Sequence, residues 1–244
     1  MEYKDFDRMV NEAEGTYTRR FTPSVTFPAL MRKVYTWMML AMLITGVTSY
    51  GVATSPAILE TLFTNRLLFW GLVAAEFGLV FGISGMLQKL SLMTATLMFI
   101  AYSVINGALL SSIFIIYTME SIGQVFFITA GTFGAMALIG YTTKKDLTGL
   151  GQILFMALIG LLIATVVNIF VGSSGLQTII SYVGVLIFVG LTAYDSQKIK
   201  MMLYEQDNTS ESAQKLALLG SLTLYLDFIN LFIYLLRIFG NRRD

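Results

Sequence analysis

Two aspartates stand where an apolar chain should not place them. Asp195 closes the run GVLIFVGLTAYD, which carries no charge before it, and Asp227 lies near the middle of ALLGSLTLYLDFINLFIYLL. A carboxylate at the centre of a bilayer helix costs roughly 2.5–3.5 kcal/mol on insertion scales, so stability alone does not favour keeping one there. Glu76, in WGLVAAEFGLVFG, is a third acid inside an apolar run. If two such carboxyls share one low-dielectric site, they hold a proton between them and titrate as a coupled pair. Once ionised, the same oxygens offer ligands to a hard cation. The chemistry within reach is that of a proton-titratable cation site, with Asp195 and Asp227 as its acids.

Plainer roles compete with each of these. Asp195 also suits an interfacial position, capping or pairing with Lys198 or Lys200, and Asp227 suits a hydrogen-bonded acid that only fixes helix packing. Glu76 completes a polar core with Asn106, or else snorkels or packs. Lys89 and Arg237 read most simply as interface anchors.

Composition narrows the chemistry. The 244 residues are 56% hydrophobic and 13% charged, with the apolar residues in long blocks; soluble domains average about 25% charged. There is no Cys, which excludes disulfides, thiolate metal sites and cysteine nucleophiles, and no His, which removes the usual general base and the commonest transition-metal ligand. A net charge of +1 gives no reason to invoke nucleic acid, and three prolines argue against proline-broken helices as a gating device.

The elements that must position the acids are membrane helices. A hydrocarbon core of about 30 Å needs roughly 20 helical residues. Blocks of suitable length fall at 29–53, 67–88, 92–117, 121–141, 150–172, 177–195 and 217–237. The expected fold is an all-α integral membrane protein, a seven-transmembrane-helix bundle over residues 29–240, preceded by a polar tail over 1–28 that is no cleavable signal peptide. Connections are short apart from a polar segment at 196–216. Small residues cluster at Gly107, Ala108, Ser111 and Ser112 and at Gly131, Gly134, Ala135 and Ala137, as helices that approach closely require.

Lys and Arg set the orientation. The tail and the loops after helices two, four and six hold Lys4, Arg8, Arg19, Arg20, Arg32, Lys33, Lys89, Lys144, Lys145, Lys198, Lys200 and Lys215, against Arg66 alone in the opposite loops. That asymmetry puts the N-terminus in the cytoplasm. Arg237, Arg242 and Arg243 run against it, so helix seven is either a full span with an exceptional tail or a re-entrant segment. In this topology helix six ends at Asp195, beside the negative end of its dipole. Asp227 lies about ten residues, roughly 15 Å, into helix seven. The two depths differ.

Four segments, MRKVYTWMMLAML, GYTTKKDLTGLG, GLTAYDSQKIK and LYLDFINLFIYLLRIFG, resemble in order the bacterial branch of the Bax inhibitor-1, or transmembrane Bax inhibitor motif, family. The resemblance spans about residues 29–240. It implies a seven-helix bundle around a central last helix, with Asp195 and Asp227 as a paired-aspartate pH sensor that meets calcium. The implied activity is a pH-sensitive calcium leak in the bacterial cytoplasmic membrane, with calcium as permeant ion and no cofactor. High pH would favour the ionised pair and cation passage, and low pH the protonated, closed pair; ionised aspartates latched to a basic residue would reverse that sign. Relatives often carry an arginine latch near the inner end of helix two, where this chain has Gly85 and Met86 with Lys89 nearby. Some relatives are described as regulators that bind membrane proteases or other membrane proteins, which makes membrane-protein partners the second reading. A two-aspartate intramembrane protease fits less well, because Tyr225 and Leu226 precede Asp227 in place of a Gly-x-Gly pattern and no Pro-Ala-Leu segment follows. No enzymatic activity is expected.

Overall fold

The computed structural model describes residues 27–204, 206 and 210–243. All but the last two residues of the expected tail lie outside them. The helices are α1 (Phe27–Ala53), a short α2 (Pro56–Thr64), α3 (Arg66–Met86), α4 (Leu92–Leu110), a four-residue α5 (Ile113–Ile116), α6 (Met119–Thr142), α7 (Thr148–Val171), α8 (Ser174–Tyr204) and α9 (Glu211–Phe239). Seven stretches are long and apolar enough to cross a membrane, α4 and α5 counting as one. No strand forms among the described residues.

Short polar residues start the helices. Asn65 caps α3 by accepting from the backbone N–H of Leu67 and Leu68, and Ser91, Thr118 and Ser210 cap α4, α6 and α9 in the same way. Each side-chain oxygen takes up a donor that the first turn leaves unpaired. Pro56 opens α2, where its missing N–H costs nothing. Gly172 ends α7 at φ 67°, a left-handed conformation that glycine adopts without a Cβ clash.

The last helix is the axis of the bundle. Two-thirds (67%) of the most apolar window of α9 is buried, against 6% for α3. α9 packs on α8, α1, α6 and α4, and its Tyr225 and Phe228 are among the largest fully enclosed side chains. α3 and α7 show most of their apolar surface outward, as lipid-facing helices do. α9 runs unbroken for 29 residues, so the re-entrant alternative for helix seven does not hold.

Two expectations need correction. Helix six does not end at Asp195: α8 continues nine residues further, to Tyr204. The extension is polar overall but amphipathic, with Ile199 and Leu203 fully buried one turn apart while Lys198 and Met201 face out. α9 likewise starts at Glu211, because Ala213 and Ala217 bury their side of its first turns. Much of the segment expected as a polar connection at 196–216 is therefore helix. Asp195 then lies well inside α8, and the dipole effect, which fades within the last turn, does not reach it.

Of the small-residue clusters, Gly107 does bring helices together. A Cβ there would sit 2.6 Å from the Thr45 carbonyl oxygen of α1. Gly131 and Gly134 have nothing within 4 Å of such a Cβ. The tightest approach lies elsewhere, at Gly140 on α6, where a Cβ would stand 2.0 Å from the carbonyl oxygen of Ala193 on α8.

Candidate functional site

Asp195 and Asp227 meet. Asp195 comes from α8 and Asp227 from α9; both are buried, 9% and 4% exposed, and their carboxyls face one another at hydrogen-bonding range. Asp227 Oδ2 is enclosed and has no N–H or O–H donor among the described residues. The Asp227 carboxyl as a whole faces that of Asp195, which donates only when protonated. The geometry therefore suits one proton held between two acids. Among the described residues the basic charge that bears on Asp195 is Lys198, one turn along α8, whose ammonium lies over the Tyr194 ring at 5.7 Å. Lys89 is exposed on the turn after α3 and does not reach the pair.

Residues following Asp195 clasp the loop between α6 and α7. Gln197 accepts from the Leu147 N–H at 2.9 Å and donates to the Lys145 carbonyl at 2.8 Å. Ser196 donates to the Ala137 carbonyl at 2.8 Å, and Lys200 donates to the Tyr141 carbonyl at 2.7 Å while lying over the Tyr141 ring. Inside that loop, hydrogen bonding from Thr148 holds the exposed Asp146 carboxyl below the ordinary carboxylate range. The segments YDSQK and TTKKDL are thus two halves of one clasp that fixes the rotation of α8, and with it the aim of Asp195. Reading 196–216 as a loop concealed the role of Gln197; the available signal was the spacing of Ile199 and Leu203. Replacing Gln197 with Leu leaves a loop N–H and a carbonyl unpaired, a loss of about 1 kcal/mol. Hydrogen exchange at the Leu147 amide should accelerate accordingly, and unchanged protection would show that the clasp is idle.

Glu76 and Asn106 also come together, in a second polar cluster. Asn106 on α4 donates to the Glu76 carboxylate on α3, and Tyr102 hydrogen-bonds the same acid. The Tyr225 hydroxyl of α9 lies 3.1 Å from Asn106 Oδ1 and 2.7 Å from Thr45 Oγ1 of α1, which in turn is 2.9 Å from the Ser103 carbonyl. Two hydroxyl protons thus serve three oxygens, linking four helices through one buried tyrosine. Tyr225 is two residues from Asp227, so both clusters hang on α9. Tyr225→Phe is expected to lower stability by roughly 1–3 kcal/mol, because Asn106 Oδ1 loses its donor and Thr45 keeps only its bond to the Ser103 carbonyl. Thermal unfolding in detergent measures it, and an unshifted midpoint would mean that the cluster is filled by other partners.

The residue after Asp227, Phe228, lies on the wall of a cavity of about 590 Å³ between α1 and α6, with Met38, Met42 and Phe133 around it. Among the described residues no three acids gather into a closed metal site. The pair is a buried two-carboxyl site.

The family model described as "Inhibitor of apoptosis-promoting Bax1" matches residues 28–244. Inner membrane protein YbhL of Escherichia coli is 51% identical over 223 residues, covering 91% of this chain and 95% of that protein. An uncharacterized protein of Borreliella burgdorferi is 48% identical over 214 residues, 88% of this chain and 92% of its own. One from Caulobacter vibrioides is 36% identical over 232 residues, with 88% and 89% covered.

Proposed function

Since this chain belongs to the Bax inhibitor-1 family, we propose that it is a calcium leak channel of the bacterial cytoplasmic membrane, gated by protonation of Asp195 and Asp227. The observation that carries this reading is the meeting of the two acids on the central helix and its neighbour. With one proton shared, the carboxyls bridge α8 to α9 and neutralise much of their charge. Without it, two like charges face one another in low dielectric and repel. The helices then separate, and the freed oxygens become ligands for a hard dication. High pH opens the path and low pH closes it. The positive charge on the loops after α3, α6 and α8 supports a cytoplasmic N-terminus in this reading. The arginine latch suggested by the family has no counterpart in Lys89, which leaves proton loss, with no salt bridge to replace it, as the switch.

Calcium uptake into liposomes holding the purified protein, compared near pH 6 and near pH 8, tests the proposal. The expected result is faster flux at the higher pH, with that difference abolished in Asp195→Asn and Asp227→Asn. A native protein that passes no calcium at either pH would overturn the channel reading. Flux larger at the lower pH would keep the sensor and reverse its sign.

A further inference from the structure

Three arginines lie at the end of α9 where the charge asymmetry of the chain calls for none: Arg237, Arg242 and Arg243. With α9 a full span they share a membrane face with Arg66, at the opposite end from the α6–α7 loop. Arg243 is engaged, donating to the Phe114 carbonyl at 3.1 Å. Arg237 and Arg242 instead line a cavity of about 670 Å³ formed where α7 ends, α8 begins and α9 ends. Its other polar walls include Asn168, Ser173, Gln177 and Ser181, and among the described residues no carboxylate lines it.

The walls are organised rather than loose. Asn168 is buried, donates to Gln177 Oε1 at 3.2 Å and accepts the Ser173 N–H at 3.1 Å. This leaves the Gln177 amide nitrogen without an acceptor among the described residues. The chain after α9 is tied down by backbone bonds from Thr118 N–H to the Asn241 carbonyl at 3.1 Å and from Arg243 N–H to the Ile116 carbonyl at 2.9 Å, with Asn241 N–H on Ser121 Oγ at 2.9 Å. Arg242 is thereby held at the rim. Arg237 packs its guanidinium over the Tyr234 ring at 5.4 Å, and neither arginine has a carboxylate partner among the described residues. Two exposed guanidinium forks and an amide donor, around a cavity with no carboxylate among the described residues, match an oxyanion with several acceptor oxygens.

We propose that Arg237 and Arg242 form a binding site for a phosphate group, carried either by an anionic phospholipid headgroup or by a soluble phosphate. Such a ligand accounts for the positive charge that topology leaves unexplained, and it joins the ends of α7, α8 and α9 without involving either aspartate.

The full-length protein, purified and delipidated in a zwitterionic detergent, is titrated with inorganic phosphate and, separately, with phosphatidylglycerol in mixed micelles, by calorimetry. Arg237→Gln, Arg242→Gln and Arg237→Lys are compared with Arg66→Gln, a charge removed from the same membrane face outside the cavity. Binding of inorganic phosphate that weakens about tenfold or more in both Gln variants, less in Arg237→Lys and not in Arg66→Gln, identifies a soluble ligand. The same pattern for phosphatidylglycerol alone identifies a headgroup. Native protein that binds neither probe overturns the proposal whether or not the variants fold, as does an equal loss in Arg66→Gln, which would mean diffuse attraction.

Discussion

Asp227→Asn is expected to hold calcium flux at its low-pH value throughout the range from about pH 6 to about pH 8, so that the ratio between the two falls to about one. Asparagine has the shape of a protonated aspartate and carries a permanent N–H donor. Placed opposite Asp195, it supplies the bridge that the native pair makes only with a proton, and α8 stays joined to α9. Asp195→Asn makes the mirror-image bridge and is expected to behave alike, because the two carboxyls face each other from adjoining helices. Asp227→Ala separates charge from bridging: no donor remains and no like charge opposes Asp195, so flux loses its pH dependence at a level set by the unbridged helices. Liposome uptake with a calcium-sensitive dye reads all three. A normal pH response in Asp227→Asn would falsify the shared-proton switch, since that variant cannot lose its bridge.

The second large effect is structural. Gly140→Ala would put a methyl 2.0 Å from the carbonyl oxygen of Ala193 and 2.7 Å from its carbonyl carbon. Neither atom belongs to a side chain that can swing away, so α6 and α8 must move apart. Overpacking usually costs about 1–3 kcal/mol and occasionally more; with backbone on both sides, the upper end or beyond is expected. Ser196 bonds Ala137 and Lys200 bonds Tyr141, one turn or less from Gly140, so both contacts are lost with the same shift. Gly134→Ala on the same helix is the control, because nothing lies within 4 Å of the added methyl. It should be neutral or gain up to about 1 kcal/mol from helix propensity. Equal melting temperatures for the two variants in detergent would show that the α6–α8 contact yields without cost.

What the chain determined by itself is what depends on neighbours in sequence. Whether a stretch crosses a bilayer is decided by the apolar content of roughly 20 successive residues, so seven spans were readable from composition. The start of α4 at Ser91 and of α6 at Thr118 follows from side chains that cap their own helix, and Asp227 inside an apolar run was visible as an anomaly needing a partner. Its matching to Asp195 came from family resemblance, because the local reading placed the two acids at different depths. Reading the polarity of 196–216 as a connection failed for a related reason: Ile199 and Leu203 are helical only because a packed face awaits them.

Tertiary structure decided the rest. Which side chains meet across helices depends on crossing and rotation, and these are set by contacts between residues far apart in the chain. Gly140 against Ala193 fixes how closely α8 lies on α6, and Gln197 on the 143–147 loop fixes its rotation. Together they aim Asp195 at Asp227. The same long-range packing left Lys89 outside, joined Glu76 to Tyr225 through Asn106, and set two arginines around the cavity where α7, α8 and α9 meet. No local pattern encodes any of these, because each is a distance between helices rather than a property of one.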